Sequence, residues 1–173
     1  MLEIQVKEET KVDLGYCSQE SLDSLVTIKR LNVNGDLDLL GCPGITELPE
    51  DLKVGGNLDL RWCDGLTELP KELTVAGKLN LENCTGLTRL PEGLRVNVYL
   101  FLYGCSGIKK LPGGLSVNGD LDLGHCPGIK DLPEDLQVEG SIYYNSGTGF
   151  FGHMQEPGVI PDHLKNKLEK YGR

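Results

Sequence analysis

The chain has 173 residues, 39% hydrophobic and 25% charged, with a formal net charge of -9, a composition that suits one ordinary soluble domain. That charge argues against duplex nucleic acid, whose phosphates require clustered lysine and arginine, and favours a partner with a basic surface. No apolar stretch approaches the roughly 20 residues of a membrane helix, and residues 1–11 are charged where a secretory signal would be apolar, so a cytoplasmic place of action and no membrane partner are expected.

Residues 1–32 carry no repeat and are expected to form an N-terminal cap. Within them Ser18 precedes Glu20 to Ile28, a short apolar and acidic run that predicts a capped helix with Leu22, Leu25 and Ile28 on its inner face. From Val33 the chain becomes periodic. Val33, Val54, Val75, Val96, Val117 and Val138 recur at a constant interval, and the pattern V-x-G-x-L-x-L-x-x-C-x-G-[LI]-x-x-L-P-x-x-L-x repeats through 33–53, 54–74, 75–95, 96–116 and 117–137. A sixth unit decays near residue 143, so the repeats occupy 33–143. Self-similarity at roughly 20–29 residues around an L-x-L core signals a stack of coils, a solenoid.

Within a unit, the alternation Leu58-Asp59-Leu60 between glycines predicts a brief half-buried strand, with the leucines inward and Asn57, Asp59 and Arg61 outward. Gly44, Gly65, Gly86, Gly107 and Gly128 are expected in a tight turn at positive φ. Leu69-Pro70-x-x-Leu73 and its equivalents should close each coil by an extended or single-turn return, because proline cannot join a strand ladder. The result is a narrow parallel sheet. A lone coil buries too little apolar surface to offset the entropy of ordering its own backbone, so neighbours and end caps are required. After residue 143, Gly147 to Gly158 predicts an irregular loop with Phe150 and Phe151 tucked under the last turn. Pro161 then opens a helical pattern in which Leu164, Leu168 and Tyr171 share a face and Gly172 stops it, so 144–173 form the C-terminal loop and cap.

Five of the six cysteines, Cys42, Cys63, Cys84, Cys105 and Cys126, occupy one repeat position. Adjacent rungs of a parallel stack lie ~4.8 Å apart with Cβ vectors aligned, a geometry that opposes bridging, so buried free thiols beside backbone amides are expected. Metal ligands must converge on a point and these lie along a line; no metal and no cofactor are expected. Reduced thiols again suit a cytosolic setting.

The outward columns read Asp36, Asn57, Lys78, Tyr99, Asp120, Ser141; then Asp38, Asp59, Asn80, Phe101, Asp122, Tyr143; then Leu40, Arg61, Glu82, Tyr103, Gly124, Asn145. The face is acidic at its flanks and aromatic at its centre. The fourth unit alone places Tyr99, Phe101 and Tyr103 outward, and in it Val98 replaces the first repeat glycine. Aromatic anchors inside a polar rim describe a binding hot spot, and the competing reading is that the rings cover one another or are covered by the loop around Phe150. Tyr99, Phe101 and Tyr103, with Asp38, Asp59, Arg61, Trp62, Asp122 and Tyr143, make up the expected partner-binding set. Asp38 and Asp59 on adjacent rungs supply only part of a calcium shell, so the aspartates are read as solvated residues of an open sheet. His125 and Cys126 are neighbours on an extended segment and point apart, a poor base and nucleophile, and the repeat's glycines lack the Lys-Ser or Lys-Thr of a phosphate cradle. No enzyme is expected.

L-x-L-x-x-C-x-G-[LI]-T, as in Leu58 to Thr67, resembles leucine-rich repeats, and the L-P-x-x-L close is similar to the bacterial class found in leucine-rich effector proteins. The resemblance covers 31 to about 143. It implies a leucine-rich repeat solenoid with capped ends and a non-catalytic module that binds a protein on its strand face, delivered in some relatives to a host cell. Some such effectors append a ubiquitin ligase domain; nothing after residue 143 is large enough to be one. The alternatives are a self-associating structural module, as monomer or weak homodimer, and a polysaccharide-binding or polysaccharide-active coil.

Overall fold

A computed structural model describes the backbone of residues 3–6 and 12–13 and the whole of 30–144. The expected helices at 20–28 and from Pro161, the loop at 147–158 and Asn145 lie outside the described residues. In chain order the strands are β1 (Glu3–Val6), β2 (Val12–Asp13), β3 (Arg30–Val33), β4 (Leu37–Asp38), β5 (Asp51–Val54), β6 (Leu58–Asp59), β7 (Thr74–Val75), β8 (Leu79–Asn80), β9 (Arg95–Val96), β10 (Leu100–Phe101), β11 (Ser116–Val117), β12 (Leu121–Asp122), β13 (Gln137–Val138) and β14 (Ile142–Tyr143). Odd-numbered strands form one seven-stranded sheet and even-numbered strands another. All pairings are parallel, with Leu58 opposite Leu79 and Asp59 opposite Asn80. The chain is a parallel β-solenoid with a 21-residue step, without helix among the described residues.

Two ladders run through the repeats where the sequence reading expected one narrow sheet. The first is the L-x-L strand. The second arises because the L-P-x-x-L segment ends in a single turn, in which Leu73 N–H donates to the Pro70 carbonyl at 3.2 Å. The chain leaves that turn extended, and the β-branched valine that follows is suited to a pleated, half-buried ladder. A glycine corner, Gly55-Gly56 in the second coil, carries it from one sheet to the other.

The inner faces of both sheets meet in one core. In the second coil Leu58, Leu60, Cys63, Leu66, Leu69 and Leu73 are all buried, as is Val75 where the next coil begins, and the described residues include no buried polar or charged side chain. Polar groups are thus left to the outside and to the turns, where hydrogen bonds can meet them.

Three expectations need correction. The glycines at 44, 65, 86, 107 and 128 are not at positive φ. They are glycines because coils stack closely there: a Cβ on Gly65 would collide with the carbonyl oxygen of Pro43 and come within 2.9 Å of that of Ile45. The left-handed residue is the one before each cysteine instead, Gly41, Trp62, Asn83, Gly104 and His125, at φ of 68°, 62°, 59°, 74° and 54°. Secondly, β1 and β2 lie within the stretch read as a cap and add a rung to each sheet, pairing with β3 and β4. Thirdly, Cys63, Cys84, Cys105 and Cys126 are buried free thiols, but Cys42 is disulfide-bonded. The aligned-Cβ argument holds between rungs in the regular register, such as Leu37 opposite Leu58. Cys42 belongs to the coil whose preceding strand is out of that register, with Val12 opposite Leu37.

Candidate functional site: the outer face of the even-numbered sheet

Much of the polar character of this face is structural. Strands this short leave the next amides without a ladder partner, and side chains fill the gap. Asp38 Oδ1 accepts from Leu40 N–H at 3.0 Å, Asp59 Oδ1 from Arg61 N–H at 3.1 Å, Asn80 Oδ1 from Glu82 N–H at 3.1 Å and Asp122 Oδ1 from Gly124 N–H at 2.8 Å. These are local Asx turns. One column earlier the bonds run between coils: Asp36 Oδ1 accepts from Asn57 N–H at 2.6 Å, Asn57 Oδ1 from Lys78 N–H at 2.9 Å, and Asp120 Oδ1 from Ser141 N–H at 2.7 Å. The sequence reading took the aspartates as merely solvated. Their signal was present in the Asp and Asn that fill seven of the twelve positions of the two columns, an enrichment that short acceptors explain and bulk solvation does not.

Both bonding schemes fail in the middle of the face, where Lys78, Tyr99 and Phe101 have no short oxygen to offer. The rings do something else. Tyr99 and Phe101 pack at 5.9 Å between centroids, tilted by 52°, and the Lys78 ammonium lies 5.4 Å from the Tyr99 ring centre. Tyr103 packs on the His125 imidazole at 4.8 Å. The rings are half-buried rather than fully exposed, because two glycines of the fifth coil make room for them: a Cβ on Gly119 would lie 2.8 Å from a Tyr99 ring carbon, and one on Gly124 would lie 2.7 Å from a Tyr103 ring carbon. Tyr103 therefore has a seat across Gly124, and the rings form two contacts across two coils, Tyr99 with Phe101 and Tyr103 with His125.

The large apolar side chains that stand exposed among the described residues are Trp62, at 54%, and Tyr143, at 47%. Trp62 occupies the left-handed column that is otherwise Gly, Asn or His. A Cβ there costs about 1–2 kcal/mol, and the backbone is held by its N–H donating to the Glu82 carbonyl at 3.0 Å. A bulky residue kept in such a position and largely uncovered marks a functional candidate. Sequence reasoning selected Trp62 as an edge aromatic, without access to its conformation.

Charge on the face is partly neutralised from within. Arg61 forks onto Asp59, with Nε at 3.0 Å from each carboxylate oxygen and Nη2 at 2.6 Å from Oδ2, and this hydrogen bond is the main reason its pKa is raised. Glu82 and Asp122 are half-buried and stand in no ion pair with lysine or arginine among the described residues. Desolvation pushes both carboxyls up; the charges of Asp122 and Asp59 raise Glu82 further, while Arg61 pulls it down.

The cysteines face away from this chemistry. Cys63 Sγ donates to the Leu39 carbonyl at 3.2 Å, and Cys84, Cys105 and Cys126 donate to those of Leu60, Leu81 and Leu102 at 2.9 Å each. The partners are carbonyls of the preceding coil rather than the expected amides, since a thiol is the donor. Burial pushes the thiols up, to about 11 for Cys63 and Cys126 and about 12 for Cys84, with Cys105 raised as well. Such sulfurs are neutral at physiological pH and out of reach of solvent. Cys126 points into the core while His125 packs on Tyr103, so the two side chains part. Among the described residues no group of three His, Cys, Asp or Glu could hold a metal ion, and no helix is long and apolar enough to cross a membrane.

Compared with protein-family models, with curated proteins and with solved structures, the chain finds no match in any of the three.

Proposed function

We propose that this chain is a non-catalytic recognition module of the leucine-rich-repeat kind, similar to the bacterial L-P-x-x-L class, which binds a partner protein on the outer face of its even-numbered sheet. The observation that carries this reading is the fourth coil. Its siblings hold their turns together with short Asp and Asn acceptors, and at 99 and 101 it gives those bonds up for aromatic rings. The rings pack on one another and under Lys78 but stay half-buried, and a local rule broken for surface aromatics points to a site kept for binding. Asp38, Asp59, Arg61, Asp122, Trp62 and Tyr143 surround the rings as rim and outlying anchors.

The test rewrites coil four with residues its siblings carry, Tyr99→Asn, Phe101→Asn and Tyr103→Leu, a change that leaves net charge untouched and restores acceptors at both columns. The expected outcome is an unchanged circular dichroism spectrum, with loss of the proteins that immobilised wild-type chain retains from a lysate. Retention of the same proteins by the folded triple variant refutes the reading.

A further inference from the structure

Resting on that reading of the sheet face, we infer that the platform of Phe101 and Tyr103 between Glu82 and Asp122 receives an arginine side chain of the partner. Register places the four groups together. Phe101 lies directly opposite Asn80 on one side and Asp122 on the other. Tyr103 and Glu82 hold the same column on adjacent rungs, and Tyr103 leans the opposite way, over Gly124 and onto His125, leaving its rung neighbour Glu82 uncovered by it. Phe101 thus lies on the rung between those of Glu82 and Asp122, and Tyr103 leans toward the Asp122 side.

The chain itself shows how this face treats cations. It holds two on this sheet and places each by one half of the proposed mode: Lys78 over an aromatic ring at 5.4 Å, and Arg61 in a carboxylate fork with contacts of 2.6–3.0 Å. Glu82 and Asp122 carry the same chemistry with no lysine or arginine within ion-pair distance among the described residues, although the Arg61 charge acts on Glu82 and His125 acts on Asp122. Charge complementarity points the same way. The three outward columns contain Asp36, Asp38, Asp59, Glu82, Asp120 and Asp122 against Arg61 and Lys78, in a chain of net charge -9. A guanidinium suits the platform better than an ammonium, because it is planar, stacks on aromatic faces, is weakly hydrated and offers donors on two edges at once to flanking carboxylates. Partial burial of the two carboxyls strengthens their attraction for it.

The experiment titrates the purified chain with tetra-arginine amide, tetra-lysine amide and cellotetraose at physiological ionic strength, following backbone amide resonances. Saturable shifts are expected around 82, 101–104 and 122–124 with tetra-arginine, and binding of tetra-lysine should be weaker by about fivefold or more. Glu82→Gln with Asp122→Asn should weaken tetra-arginine by about tenfold or more. The amide introduced at position 122 retains the acceptor for Gly124 N–H, so the turn survives. Glu72→Gln with Glu92→Gln removes the same two charges from the return arc and should leave affinity within about twofold. The inference is overturned if tetra-arginine gives no saturable shift, if tetra-lysine binds as tightly, if the return-arc pair weakens binding equally, or if cellotetraose alone occupies the platform. Should the coil-four variant lose its protein partners while tetra-arginine fails to bind, the arginine inference falls and protein recognition stands; retained partners sink the recognition reading itself.

Discussion

Raising the pH should melt this fold through its cysteine ladder. In the unfolded chain a thiol ionises at its ordinary value of 9.0, whereas in the fold Cys84 is held at about 12 and Cys63 and Cys126 at about 11. The folded value is raised, so the neutral thiol stabilises the fold fully below pH 9, and that contribution is lost as pH climbs through the folded values. At pH 10 the unfolded thiol has mostly lost its proton and the folded one has kept it, a difference of about 1.4 kcal/mol for each ladder cysteine. Cys105 is raised as well, and the four together amount to roughly 5 kcal/mol, a large part of the 5–15 kcal/mol that holds a domain together. Cys84→Ser isolates one rung. The hydroxyl can still donate to the Leu60 carbonyl, now 2.9 Å from Sγ, but it does not titrate in this range. Urea denaturation followed by circular dichroism at pH 7.5, 9 and 10 gives the stability of both proteins. Whatever the serine costs at neutral pH cancels in the comparison, and between pH 7.5 and 10 the variant should lose about 1.4 kcal/mol less than wild type. Parallel losses in the two proteins would refute the claim that burial of the thiols governs alkaline stability. A chromogenic disulfide reagent supplies an independent check, because the four thiols should react at pH 8 only as fast as the chain unfolds.

Two further predictions concern the coils and the face. Gly65→Ala should destabilise by about 2 kcal/mol or more, since its Cβ meets backbone carbonyls that cannot swing away, whereas Gly93→Ala, at φ 69° with nothing within 4 Å, should cost only about 1 kcal/mol of conformational strain. Thermal melts of the pair decide it, and equal losses would contradict the stacking account. Asp122→Asn should leave the fold more stable than wild type at pH 7, because the half-buried carboxylate carries a desolvation cost that the amide avoids while keeping the acceptor for Gly124 N–H. For an acid raised in the fold the cost is absent below the unfolded pKa, so the difference should vanish near pH 3; a variant less stable at neutral pH would count against it.

Part of this organisation is readable along the chain alone. Val12-Asp13-Leu14-x-x-Cys17 repeats the L-x-L-x-x-C spacing and could have announced the additional rung. It pairs out of the regular step, with Ile4 opposite Leu31 and Val12 opposite Leu37, and that hid it from a search at fixed period. The outward aromatics were legible because alternation on a strand assigns faces by itself. Glu82 was legible as an outward residue beside Tyr103, but its partial burial was not, since that depends on how the neighbouring coils pack around it.

The sequence by itself determined the length of the repeating step, the buried set of leucine, valine and cysteine, the proline-led return and the identity of the exceptional coil. These are properties of a single unit and its copies, and hydrophobic period and turn chemistry specify them locally. Only the tertiary structure decided that there are two ladders, that the residue before each cysteine is left-handed with Trp62 strained among them, and that the Asp and Asn columns bond rather than merely dissolve. The same holds for the seating of Tyr99 and Tyr103 over glycines of the following coil. Each of these depends on the distance and direction from one coil to the next, about 4.8 Å along the stack, and a pattern read along one strand carries no information about what that neighbour presents.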